Sequence, residues 1–384
     1  MRLLVFGHND WWAWQEQGFC GRNAALVRAL ARRPEIERVA VVDTPRYRSR
    51  VRRPQERRGE AVSEVADRIV AVRYAFDLPA PASWHPGRLV NERLAAGRLA
   101  RAVYAALPAG PPPVVWVADP QAANTAVRFA RDLVVFDAID DWRYLPGVDR
   151  RAVGEGYTLL PEVAGLTLAV NRRLLDRLRP RALAEVVPNA IDAEEWRDAL
   201  AKPAELAGLP RPVAVYLGTL QARVDTGLVA AAAAMTPDIT YALVGPIGEG
   251  FSLDPHPPNV VVLPTLARSR VPGLLLAADV CIVPHRRDGI VASMDPLKVY
   301  EYLAAGRPVV STLSPPLEAL RPFVRVAADP AAFATALRDE IDADGEARRA
   351  ARRRAVSSET WDARAARVLE LVAEARAADP GVAP

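Results

Sequence analysis

Lysine is almost missing from this chain: Lys and Arg together number 50, yet only Lys202 and Lys298 are lysines. Positive charge is therefore written as arginine nearly everywhere, and a local arginine run is by itself no sign of a nucleic-acid surface. The densest run, "RYRSRVRRPQERRGE" at 46–60, has Tyr47 as its one aromatic residue and no helix-turn-helix or zinc-finger spacing beside it. No nucleic-acid partner is expected, although the net charge is +4. The run reads as a solvated loop, or as a contact for an anionic partner such as an acidic membrane surface or glycan. Cysteine is equally scarce. Cys20 and Cys281 lie far apart without metal-ligand spacing, which excludes a disulfide framework and a zinc site and fits a reducing cytoplasm. Long apolar runs are missing too, since the most uniform, "GLVAAAAAM" at 227–235, is about half of the ~20 residues a membrane span needs. The opening "MRLLVFGHND" meets charge and tryptophan too soon for a secretory leader and reads as a first strand. The expectation is a soluble, cytoplasmic protein, at most peripheral at the inner face of the membrane.

What is present is an alternation. The 384 residues, 51% of them hydrophobic, are enough for two cores. In the first half, "RLLVFG", "RVAVVD", "RIVAVRYAF", "PVVWVAD", "LVVFDAID", "LTLAVN" and "AEVVPNAID" are short β-branched runs, several of them separated by helical stretches such as "NAALVRALARR". Near-continuous apolar strands imply a parallel sheet covered on both faces, and right-handed crossovers make it doubly wound. After a polar, proline-bearing stretch the pattern restarts with "VAVYLG", "TYALVG", "NVVVLP", "DVCIVP", "RPVVST" and "FVRVA". The expected fold class is α/β, two Rossmann-like domains facing a central cleft. The expected boundaries are 1–193, 194–356 and a closing amphipathic helix in 357–384, with Trp361, Ala365, Val368, Leu369 and Val372 on one face. Ligands of such sheets bind beyond the carboxyl ends of the strands, so the chemistry belongs in the loops that follow them.

"SMDPLKVYEYLAAGRPVV" at 293–310 is one such place. Pro296 suits a first helical position and Asp295 a cap, which puts Lys298 in the first turn. There the helix dipole opposes a cation by about 0.3–1 kcal/mol unless an anion is present. Free backbone N–H groups and a compact ammonium suit a diphosphate, and Glu301 three residues on can accept from both hydroxyls of a ribose. An ordinary i,i+3 ion pair is the plain alternative. "VYLGTLQARVDTGLV" repeats the logic: Gly218 permits close backbone approach, and Arg223 offers a planar fork of donors to the same anion. "VGPIGEGF" is not a dinucleotide fingerprint, because its glycines have the wrong spacing.

Taken together, "VPNAID", "YLGTLQARVD", "NVVVLPTLARSRVPGLLLAADVCIVPH", "DPLKVYEYLAAGRPVVST" and "TWDARA" resemble a GT-B fold glycosyltransferase. The resemblance is to the large bacterial family of retaining cell-envelope sugar transferases (family 4, group 1 type), and to similar glucuronosyl- and teichuronic-type transferases. It implies a nucleotide-sugar donor, UDP-linked, bound by the second domain, an acceptor bound by the first, and a final helix that returns to the first domain. No cofactor and no metal are expected, because Arg223 and Lys298 at a helix start supply the positive charge, and His285, which follows another second-domain strand, is expected to border the donor phosphates. The family often carries two glutamates separated by seven residues. Glu301 matches the second, whereas Ser293 occupies the position of the first, which leaves retention or inversion open.

The acceptor side falls to the first domain. Trp11, Trp12 and Trp14 follow the first strand in what reads as a loop, where indoles would pack on a sugar ring or an isoprenoid-linked glycan. Inverting transfer needs a base for the acceptor hydroxyl, and Asp140, Asp141, Asp10 and His8 are the candidates. An epimerase of the same fold, a nicotinamide-dependent oxidoreductase and a non-catalytic nucleotide-sugar-binding scaffold are the competing readings.

Overall fold

The computed structural model describes all residues except 9–10, 17, 20, 48–60, 79–83, 108, 146, 198–203, 255, 288–290, 292 and 379–384. The chain divides into two compact units, Met1–Val187 together with the chain from Arg364 onward, and Pro188–Ala363. The segment 188–193, expected in the first domain, is bonded within the second: Asn189 N donates to Asp295 Oδ2 (2.7 Å) and Ile191 N to Glu359 O (2.9 Å).

The first unit contains β1 (Arg2–Phe6), β2 (Arg38–Val42), β3 (Arg46–Tyr47), β4 (Val62–Ala66), β5 (Ile69–Val72), β6 (Ala75–Phe76), β7 (Val114–Val117), β8 (Val134–Ala138), β9 (Leu166–Ala169) and β10 (Leu183–Val186). Eight of these form one sheet in the order β10-β9-β8-β7-β1-β2-β5-β4, while β3 and β6 pair separately. Every pairing in the large sheet is parallel except β4 with β5, a hairpin turned at Asp67–Arg68. The inner strands β1, β5, β7, β8 and β9 are buried along their whole length, and β2 after Arg38, as strands covered on both faces must be.

The second unit is a six-stranded parallel sheet, β13-β12-β11-β14-β15-β16, built from β11 (Val213–Leu217), β12 (Thr240–Val244), β13 (Val260–Leu263), β14 (Val280–Val283), β15 (Val309–Ser311) and β16 (Val324–Val326). Its period of two divides the core cleanly. Val213, Val215, Ala242, Val244, Cys281 and Val283 pack on one face, and Ala214, Tyr216, Tyr241, Leu243, Val280 and Ile282 on the other. Both domains are thus Rossmann-like, as the alternation implied.

The closing helix spans Trp361–Ala378 and buries Trp361, Ala365, Val368, Leu371, Val372 and Ala375. Leu371, rather than the expected Leu369, completes the stripe at helical spacing. Arg367 lies 3.7 Å from Glu185, and Arg376 pairs with Asp132, so the helix is tied to the first unit by charge as well as by packing.

Candidate active site

In the second unit the carboxyl ends of β11 and β12 carry two glycines packed against each other. Gly218 has φ +139° and Gly245 φ +142°, and a Cβ on Gly245 would stand 2.3 Å from the Gly218 carbonyl oxygen. The loops after them are stitched by Leu220 N to Pro246 O (2.8 Å) and Ala222 N to Glu249 O (3.0 Å). Close approach here needs the missing side chains.

Lys298 reaches this turn from the helix Leu297–Ala304. Its Nζ lies 3.9 Å from the centroid of the Tyr216 ring and 3.4 Å from His285 Nε2, and a Cβ on Gly218 would approach it to 3.0 Å. Among the described residues Lys298 makes no ion pair. Burial, and then the neighbouring Arg223 guanidinium, hold its ammonium well below the ordinary lysine range, against the pull of Glu301. His285 is likewise pushed well below its usual range, by burial first and then by Lys298 and Arg223. Its Nδ1 meets no hydrogen-bond partner among the described residues. The loops bearing Arg223 and His285 are joined by Arg286 N to Arg223 O (2.8 Å), and Thr312 Oγ1 donates to His285 O (2.5 Å). Three basic side chains therefore converge on one glycine turn, with no carboxylate in direct contact with them among the described residues.

The helix starts differently from expectation. Pro296 is the last non-helical residue, without a side-chain cap, and the Asp295 carboxylate instead accepts from Asn189 N and Tyr300 Oη (2.9 Å). By contrast, Asp225 caps the helix Thr226–Met235 by accepting from Leu228 N (3.0 Å). The uncapped start at Leu297 is the more open of the two to an anion.

Glu301 does not pair with Lys298. It is 4% exposed, and its Oε1 lies 2.5 Å from Arg268 Nη1, while Arg268 also holds Glu195 at 2.5 Å. Burial works against the charge on Arg268, but Glu301 and Glu195 outweigh it and drive its pKa upward. Sequence reasoning missed Arg268 and Glu195; the only signal was an arginine set just before the helix Val271–Ala277. Ser293 is fully buried.

In the first unit, β7, β1 and β2 are neighbours, so Asp119, His8 and Asp43 come to one edge of the sheet. They line a cavity of about 270 Å³ together with Tyr74, Arg88 and Trp142. Burial lowers the pKa of His8 and raises that of Asp119, each opposed by the other's charge, with Arg88 also acting against the shift at Asp119. Trp142 sits edge-on to His8 at 4.7 Å, and Trp14 Nε1 donates to His8 O (2.9 Å). Asp43 Oδ1 accepts from Trp11 N (3.1 Å). Asp119, Asp43, Arg88 and Trp142 were not anticipated, because their convergence depends on strand order.

The tryptophans form a short helix, Trp11–Glu16, rather than a loop. Spacing of three puts Trp11 and Trp14 on its inner face, each 3% exposed, with the Trp11 ring 5.0 Å from that of Phe19. Only Trp12 is exposed, at 38%, beneath the Arg73 guanidinium. Asp141 is fully buried, caps the turn Trp142–Tyr144 and is gripped by Arg143 (2.7 Å) and Arg177 (3.1 Å). Burial would raise its pKa, but the bonds to Arg143 and Arg177 bring it down overall. Asp140 is half-buried, and its carbonyl accepts from Tyr157 Oη (2.7 Å). Asp10 and Cys20 lie outside the described residues, as does the arginine run beyond Tyr47. Among the described residues no group of three His, Cys, Asp or Glu could hold a metal ion, and no helix is long and apolar enough to cross a membrane.

Two Rossmann-like domains with a basic, glycine-lined site at the strand ends of the second define the GT-B class of glycosyltransferases. Residues 211–342 match the model of the glycosyl transferases group 1 family, so the second unit carries a group 1 glycosyltransferase domain. A putative teichuronic acid biosynthesis glycosyltransferase, TuaH of Bacillus subtilis (strain 168), is 29% identical over 114 residues, 28% of this chain and 29% of that protein. The match thus spans less than a third of that relative's length. Among solved structures, sucrose-phosphate synthase from Thermosynechococcus elongatus aligns with TM-score 0.68 at 15% identity, covering 98% of this chain and 99% of that one. HepE (Alr3699) of Anabaena, solved in complex with UDP, aligns with TM-score 0.66 at 14% identity, covering 97% and 99%. At such identities these two speak for the fold alone.

Proposed function

We propose that the protein transfers a sugar from a nucleotide diphosphate-sugar, with UDP as the nucleotide, to a carbohydrate or lipid-linked acceptor in cell-envelope or polysaccharide synthesis. The observation that carries this reading is the convergence of Lys298, Arg223 and His285 on the Gly218 turn, without a neutralising carboxylate among the described residues. Burial beside Arg223 disfavours the charged forms of Lys298 and His285 in the free protein, and a ligand with two phosphates favours them again. Glu301 then takes the ribose hydroxyls, with its carboxylate held in place by Arg268. The UDP bound to HepE and the name of the B. subtilis relative support the donor class and the setting.

Lys298 and Arg223 stabilise the charge that develops on the departing diphosphate, the task a divalent ion performs in metal-dependent transferases. No cofactor or metal is required on this account. The acceptor enters the first-unit cavity around His8 and Trp142. If the anomeric centre is inverted, His8 takes the acceptor proton: its lowered pKa favours the neutral imidazole, and Asp119 stabilises the imidazolium once formed. The enzyme works in the cytoplasm, peripherally at the inner face of the membrane.

The test is a thermal-shift panel of UDP-, GDP-, dTDP- and ADP-sugars, because a ligand that binds only the folded state raises the midpoint. A shift with UDP-sugars that is lost in Lys298→Ala is expected. A panel in which no nucleotide sugar moves the midpoint would overturn the reading.

A further inference from the structure

A second cavity lies in the second unit, well away from the Gly218 turn in sequence and strand order. It encloses about 640 Å³ and is bounded on one side by the chain from Arg321 to Ala327, which includes the edge strand β16, and on the other by the helices Pro330–Asp342 and Glu346–Val356. Four arginines line it, Arg321, Arg325, Arg348 and Arg352, against a single glutamate, Glu340.

These arginines are not equivalent. Arg352 is 4% exposed and is satisfied within the fold by Asp344 (2.6 Å), Glu340 (3.4 Å) and the Gly306 carbonyl (3.2 Å). Its helix neighbours Arg349 and Arg353 are likewise paired, with Asp344 and Glu346. Arg321 pairs with the exposed Glu318, three residues away, and its Nε donates to the Pro315 carbonyl (3.4 Å). Arg325 and Arg348, both exposed, have no hydrogen-bond or ion-pair partner among the described residues, whereas the nearby Asp344 and Glu346 pair with Arg349, Arg352 and Arg353. An arginine on an edge strand guards against strand addition, which accounts for Arg325. It does not account for Arg348, which lines the same hollow from a helix. Guanidinium forks left open around one cavity suit an oxyanion that takes several planar donors, and Pro322 and Phe323 supply an apolar wall beside them.

We propose that this cavity binds a phosphate ester with a small apolar body, held by Arg325 and Arg348 and assisted by Arg321. The phosphate comes either from a free metabolite or from an anionic lipid headgroup, and the experiment separates the two. Full-length protein is titrated calorimetrically with glycerol 3-phosphate and sedimented with vesicles of phosphatidylglycerol in phosphatidylcholine, with pure phosphatidylcholine as control. Binding of at least one phosphoryl probe is expected, weakened tenfold or more by the double variant Arg325→Glu, Arg348→Glu. Because both side chains are exposed, the unfolding midpoint of the free variant should match the parent; the pair Arg325→Ala, Arg348→Ala serves if charge reversal disturbs folding. Glycerol 3-phosphate binding assigns the site to a metabolite, and sedimentation with phosphatidylglycerol alone assigns it to the bilayer. Failure of both probes, binding undiminished in the double variants, or retention of a polyglutamate peptide in their place would overturn the proposal. This site is independent of the donor site, so its failure leaves the reading of Lys298 and Glu301 intact.

Discussion

Lys298 and Glu301 occupy one helical turn yet answer to different partners, so their substitutions should separate. On the proposed reading Glu301→Ala removes the acceptor for two ribose hydroxyls, and losing bonds to a charged group costs about 1.5–3 kcal/mol, roughly ten- to hundredfold in UDP affinity. Lys298→Ala should fall mainly on turnover, because its charge is needed most as the diphosphate departs. Calorimetry beside steady-state rates distinguishes the two, and equal, negligible effects would mean that the donor binds elsewhere. Protonation adds a sharper test. The free-protein pKa of Lys298 is depressed by burial and by Arg223, and a bound diphosphate raises it. Binding should therefore take up a proton above the depressed value. Affinity should be full below that value and should fall as pH rises toward the bound-state pKa, an uptake measurable in two buffers of different ionisation enthalpy. The pair itself was legible because a helix start after a strand is a local pattern. Tyr216 and Arg268, which complete it, are brought there only by the sheet and carry no mark in the sequence around residue 298.

At the level of elements, the turns after β11 and β12 act as one unit. Gly245→Ala places a Cβ against the Gly218 carbonyl at a positive φ, where a side chain costs about 1–3 kcal/mol even without a clash. The variant should unfold at a lower midpoint and lose UDP binding, although residue 245 carries no side chain in the parent; retention of both would show that the two turns move independently. Asp225→Ala, which removes the cap of Thr226–Met235, should cost about 1 kcal/mol of stability. Its UDP affinity should hardly change, which chemical denaturation and calorimetry would check together. The alternation of strands and helices was read correctly from apolar runs, but short elements were not. Trp11–Glu16, only six residues long, was taken for a loop, and the hairpin strand β4, half exposed, offers no continuous apolar run.

For the whole molecule, charge supplied by Lys298 and Arg223 predicts turnover that is unchanged by EDTA. Activity abolished by the chelator and restored by manganese would refute that account. The two-domain layout was visible in a pattern that stops and restarts, whereas the place where the chain crosses between units was not. It depends on bonds of Asn189 and Ile191 to residues more than 100 positions away.

The scarcity of lysine has a practical consequence. Apart from its amino terminus, the protein carries only two primary amines, and Lys298, at the proposed donor site, is held well below the ordinary lysine range. At neutral pH an amine-directed acylating reagent meets a larger unprotonated fraction at Lys298 than at an ordinary lysine, so the mass increment on its peptide reports directly on the donor site. Saturating UDP should shield it. The same peptide then serves as an occupancy gauge for any donor or inhibitor, with no tag and no knowledge of the acceptor.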